Sequence, residues 1–282
     1  MKLELPEKQK IPRKTIIIYT TLIIICILAI IVAISVEILG NDIVDNLFGI
    51  NKITKKSEED EAKLKAEFEG ILDNNIQDTG NYQIEKENDN NQIVYTSYSK
   101  EEKNGEYEIN VNLPYINIKN EEVNKFNTEI KNTFEEKAEE VIKEQEQKIL
   151  YIVKYKASIE NNILSLIIYS DLKQDTNAQR VIIQTFNYNL DENKMMTLED
   201  TLGAYNLQKD DIQNKINTDI QNEQRKSDEL INLGYNVFSR DINSSIYKVE
   251  NVSEYFIYDN NIYIIFAYGN DRITSEKDIV II

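Results

Sequence analysis

Histidine and tryptophan are absent from this 282-residue sequence, cysteine occurs once, proline three times and glycine eight times. Without imidazole, and with Cys26 as the sole thiol, the common zinc sites and the Ser-His-Asp and Cys-His catalytic arrangements lack their working groups. A single cysteine also excludes an intrachain disulfide, so any large folded region must be held by an ordinary apolar core. None of the glycines forms a phosphate-cradling loop, and no EF-hand pattern of alternating Asp or Asn followed by Gly and a distal Glu occurs. The chemistry left over belongs to carboxylates, Ser-Lys dyads and oxygen-ligated calcium. Pairs such as Glu121 and Glu122, Glu199 and Asp200, or Asp210 and Asp211 are the carboxylate candidates. Adjacent helical positions point in different directions, however, so these pairs do not converge on a substrate. The sequence reads as a non-enzyme with no cofactor, no metal site and no catalytic residue, its ligand-binding residues unassigned.

What the sequence has in quantity is acid: 49 Asp and Glu against 32 Lys and Arg, a net charge of −17. The first 14 residues carry +3 and the next 22 carry none, which leaves −20 on residues 37–282. Such a surface repels nucleic acid and anionic lipid and favours cationic partners, although solubility alone also accounts for it.

The uncharged stretch runs from Thr15 to Val36. At about 1.5 Å per residue a helix of this length covers about 33 Å, enough to cross a hydrocarbon core of about 30 Å. Lys2, Lys8, Lys10, Arg13 and Lys14 precede it against only Glu4 and Glu7, and Glu37, Asp42 and Asp45 follow it. The positive-inside bias places the amino terminus in the cytoplasm and the bulk of the chain outside. A cleaved signal peptide, with Ala33 and Ser35 at the cleavage site, is the competing reading, and it exports the same region. The expected organisation is a cytoplasmic tail (1–14), a transmembrane helix in the lipid bilayer (15–36), a juxtamembrane helix and linker (37–91), and two extracytoplasmic lobes (92–175 and 176–282).

Patterning supports that division. Leu64, Phe68, Ile71 and Leu72 predict a short helix over about 57–75, and a strand is expected near Tyr82 to Ile84. Tyr107, Ile109, Val111 and Leu113 alternate with polar residues as a half-buried strand requires. Asn120 is positioned to cap a helix whose stripe is Val123, Phe126, Ile130, Phe134, Ala138 and Val141. A strand over 151–159, an Asn161-Asn162 turn and a central strand from Ile163 to Tyr169, apolar on both faces, follow. The second half repeats the order with a strand from Val181 to Leu190, a capping box at Thr197 and Asp200, and a helix on Ile212, Ile216 and Ile220. A hairpin through Asp259-Asn260-Asn261 and a last strand from Ile279 to Ile282 complete it. The expected fold class is α+β: two similar lobes of antiparallel sheet, each with packed amphipathic helices. The 17 tyrosines fall mainly in these strands, where cross-strand packing is their ordinary role.

The strings YEINVNLPYINI with NEEVNKFNTEI, NNILSLIIYSD, TFNYNL with MTLEDTLG, IYIIFAYG and DIVII resemble the paired extracytoplasmic domains of RsiV-like proteins. That family includes membrane-anchored anti-sigma factors that bind lysozyme and regions appended to peptidoglycan deacetylases. The resemblance covers about Ile93 to Ile282 and implies fold rather than catalytic residues. The 14 residues ahead of the span are shorter than a sigma-binding segment, and deacetylase histidines are lacking, so the exterior module is what the resemblance implies. Three functions follow as expectations: a sensory or ligand-binding module for a cationic protein or wall component, a structural envelope scaffold, and a carboxylate-dependent wall-modifying enzyme.

Overall fold

The computed structural model describes residues 56–78, 82–105, 107–143 and 148–282. The uncharged run at 15–36 and its flanks lie outside the described residues. Among the described residues no helix is long and apolar enough to cross a membrane. The described residues are α+β and form two sheets.

The large sheet has the strand order β2-β3-β4-β5-β6-β7, built from Val94–Asn104 (β2), Tyr107–Ile116 (β3), Ile149–Glu160 (β4), Ile163–Gln174 (β5), Arg180–Asn189 (β6) and Lys194–Met195 (β7). It is mixed rather than antiparallel as expected. The helices Glu121–Ile130 (α2) and Glu136–Lys143 (α3), joined through a π turn at Lys131–Glu135, carry the chain back along the sheet. β4 therefore runs parallel to β3, paired from Tyr107↔Ile149 to Val111↔Val153. Beyond Val153 the same edge of β4 is taken by Asn75–Asp78 (β1), also parallel, from Asn75↔Lys156 to Asp78↔Ile159.

Asn120 caps α2 by accepting from the Glu122 N–H at 2.8 Å. Val123, Ile130, Phe134, Ala138 and Val141 are buried against Tyr151, Val153, Leu166, Ile168 and Phe186 on one face of the sheet. The turn between β4 and β5 places Asn161 and Asn162 at φ of 50° and 60°, the left-handed region that asparagine tolerates best among residues with a Cβ. β5 is buried on both faces from Ile163 through Ser170. β6 pairs with β5 from Ile163↔Asn189 to Leu172↔Arg180, so the expected division at 175/176 falls in the turn between two paired strands.

The second sheet is antiparallel, with the order β10-β9-β8 formed by Lys277–Ile281, Asn261–Ala267 and Glu254–Tyr258. Its residues alternate between two clusters. Phe256, Tyr263, Ile265 and Ile281 face the large sheet's Ile167, Tyr169, Val181 and Ile183. Tyr255, Ile257, Ile262, Ile264 and Val280 face the helices Leu198–Ala204 (α4) and Lys209–Asn232 (α5). The result is four layers: helices, large sheet, small sheet, helices.

The helix Glu58–Glu67 (α1) and the turn Phe68–Ile71 are part of this body rather than a tether. Phe68 and Leu72 are buried where the two sheets meet, and Asn74 exchanges hydrogen bonds with Tyr155 through its N–H and side-chain oxygen. Lys156 reaches back to Asp73 at 3.0 Å and Asn75 at 2.6 Å. No strand forms at 82–84; the expected strand is displaced to β1, where β4 offers a vacant edge.

Candidate binding surface

The small sheet meets the large one through its edge as well as its face. Alternate N–H groups of an edge strand point away from its partner and need other acceptors. On β8 and the turn that follows it they find side chains from three strands. The Tyr255 N–H donates to Thr185 Oγ1 (3.2 Å), the Ile257 N–H to Ser165 Oγ (2.8 Å) and the Asp259 N–H to Glu160 Oε1 (2.6 Å). Asn187 Nδ2 donates to the Tyr255 carbonyl at 2.8 Å. The free edge of β6 is closed in the same way. The Thr185 N–H donates to Glu254 Oε2 at 2.6 Å, and Asn270 uses both ends of its amide on the backbone of Ile183. Burial pushes the Glu254 carboxyl up to about 7 despite the bonds from Thr185. Glu160, Ser165 and Asn187 are buried and Thr185, Glu254 and Asn270 half-buried, and all of them serve the joint between the sheets.

The exposed candidates lie on the outer helical layer. Ile212, Ile216 and Ile220 fix the first half of α5 to the small sheet. After Ile220 the next apolar residues are Leu230 and Ile231, so the second half of the helix leaves the core. α1 runs beside the first half in the same direction, with Glu61 at 2.8 Å from Lys215 and Lys65 at 3.5 Å from Asp219. Between the two helices is an open groove of about 1170 Å³, floored by Leu207, Ile212, Ile281 and Ile282. Its walls alternate in sign and are largely paired internally: Lys215 also bridges Asp219 at 3.3 Å, and Lys226 bridges Glu223 at 2.8 Å. The groove suits a polar chain segment better than a compact apolar ligand.

Beyond it, the connection after α5 is held by a buried charged knot. Arg240 donates to Asp278 from Nε at 2.5 Å and from Nη2 at 2.7 Å, and from Nη1 to Ser227 on α5. Tyr268 donates to the same carboxylate at 2.5 Å, and the Tyr247 hydroxyl lies 2.7 Å from that of Tyr268. Burial and the neighbouring Asp278 carboxylate hold the Tyr268 phenol well above its usual range. Phe238 stacks on Tyr268 with ring centres 4.0 Å apart. This knot fixes a loop that otherwise exposes Leu233, Tyr235 and Ile242.

The three acidic pairs singled out from sequence are not brought together. Glu121 and Glu122 sit in the first turn of α2, Glu199 and Asp200 in that of α4, and Asp210 and Asp211 in that of α5. Negative charge there opposes the positive end of each helix dipole. Asp200 completes the capping box with Thr197, whose hydroxyl and N–H hold its carboxyl below the usual range. Among the described residues no group of three or more acids is arranged to hold a metal ion. Sequence reasoning missed the exposed cluster after α5; the break in its four-residue apolar repeat after Ile220 was the available signal. No family model matches the chain, and no curated protein matches it in sequence.

Proposed function

We propose that this chain is an outward-facing binding module of a cell envelope, anchored in the bilayer by residues 15–36 with its amino terminus in the cytoplasm. Its ligand is a cationic protein, lysozyme being the example the RsiV-like resemblance supplies, or a wall component. The two helix-covered sheets are read as two lobes of related plan. The observation that carries this reading is unbalanced charge. Residues 37–282 carry −20, and many of the cations on the body are already engaged, as in Lys119 with Glu85, Lys194 with Glu192 and Lys277 with Glu69. The remaining acid excess is free to attract a basic partner.

Orientation is tested with Cys26→Ser combined with Ser245→Cys, which places the only thiol at an exposed position at the start of the short 3-10 turn Ser245–Tyr247. An impermeant maleimide should label intact cells; labelling only after lysis overturns the outward orientation. Titration with lysozyme at low ionic strength tests the ligand class, and the absence of saturable association removes it.

A further inference from the structure

Nine consecutive exposed residues, Asp228 to Asn236, end α5 and begin the following loop. Four of them are large and apolar, Leu233 being 74% and Tyr235 63% exposed beside Leu230 and Ile231. The Tyr235 N–H folds back on the Leu230 carbonyl at 3.0 Å, which gathers them at one tip. Ile273, 69% exposed, lies on the adjacent loop, where Arg272 sits over the Phe238 ring. Clusters of this kind on an otherwise highly charged surface mark interaction sites.

Charge and geometry identify what covers the tip. Its exposed carboxylates Asp228, Glu229, Asp241 and Asp271 make no ion pair among the described residues. Of the nearby cations, Lys226 pairs with Glu223, Arg240 with Asp278, Arg272 lies over the Phe238 ring and Arg225 donates to Asn222, so none of them pairs with these carboxylates. Such a rim repels a second copy of itself and an anionic membrane, and it attracts lysine and arginine. α1 and α5 run in the same direction, so residue 56, where the described chain begins, lies at the other end of the helix pair. From Lys215 to Asn232 the helix advances about 25 Å at 1.5 Å per residue. The Arg240 knot ties the loop to both α5 and β10, so the tip is presented already ordered, which lowers the entropy lost on binding.

We infer that the apolar tip formed by Leu230, Ile231, Leu233 and Tyr235 is the docking surface for a partner protein presenting an apolar patch bordered by lysine and arginine. The inference rests on the reading of this chain as a module for a cationic protein, and it locates where that protein sits.

The test uses the full chain in nanodiscs, with lysozyme as the probe and polylysine as a charge-only control. Leu233→Ser with Tyr235→Ser should weaken lysozyme binding by about tenfold or more, as loss of a central apolar anchor does, and leave polylysine binding unchanged. Asp228→Asn with Glu229→Asn should slow lysozyme association and flatten its salt dependence. Glu121→Gln with Glu122→Gln, on the opposite helical layer, should leave lysozyme affinity unaltered. Wild-type binding that survives both tip variants overturns the inference and leaves the proposed function standing; absence of wild-type binding overturns both. Wild-type self-association abolished by the Leu233 and Tyr235 changes, or tip-dependent binding to empty lipid vesicles, assigns the surface to another occupant and also overturns it.

Discussion

On one face of β5, Leu164, Leu166 and Ile168 meet the α2–α3 layer through apolar contact; on the other, Ser165 sits between Ile163 and Ile167 and supplies the acceptor for a backbone N–H of β8. Both faces are buried, yet they specify different things. Apolar contact is tolerant of small shifts in register, because hydrophobic burial is non-directional. Hydrogen bonds donated by the Tyr255, Ile257 and Asp259 N–H groups to Thr185, Ser165 and Glu160 fix where the small sheet sits, because a slip of one residue would leave buried N–H groups unpaired. The helix-covered face holds the sheet; the polar face also locates a partner and closes an edge.

The contrast can be broken in order of expected effect. Phe186→Ala empties a fully buried site stacked against Tyr188 and should cost about 3–5 kcal/mol by denaturant unfolding. A loss below about 1 kcal/mol would mean that the helix-covered face is not the main source of stability.

Glu254 provides a pH test of the polar face. Its folded value of about 7 lies above the 4.5 of an unperturbed carboxyl, so the folded state binds the proton more tightly. Stability from this residue is fully present below about pH 4.5 and is lost as the pH rises through about 7, a change on the order of 3 kcal/mol. Glu254→Gln should subtract that slope from the stability curve between pH 5 and pH 8, and superimposable wild-type and variant slopes would contradict the buried position.

Ser165→Ala should cost about 1–3 kcal/mol, since it leaves the Ile257 N–H buried without its acceptor. Crystallography of that variant should show β8 shifted or a water in the vacated position. At the small end, Leu233→Ser should change stability by no more than about 0.5 kcal/mol, because the side chain is exposed and contributes little to the core. A larger loss would mean that the tip is structural rather than a contact surface.

Local periodicity made one of these faces readable and left the other obscure. The alternation in β3, the stripe along α2 and α3, the Asn-Asn turn and the Thr197–Asp200 cap each arise from neighbours in sequence, and each is present as expected. β2 escaped notice because its outer residues are exposed on an edge and carry no alternation of polarity. The docking of Phe68 and Leu72 depends on Tyr263 and Ile281, about 200 residues away in the chain, and no local pattern reports such a contact. Ser165 was a visible interruption in an apolar run, but its partner on β8 lies 92 residues ahead. For the binding surface, the acid excess was legible from composition, whereas the tip required knowing where α5 leaves the core.

The most direct measurement is the affinity of the full chain for lysozyme as ionic strength is raised. Acid-driven association predicts saturable binding at low salt that weakens steeply between about 0.01 and 0.15 M, over which the screening length falls from about 30 Å to about 8 Å. Affinity that is absent at low salt, or that does not change across this range, would contradict the account.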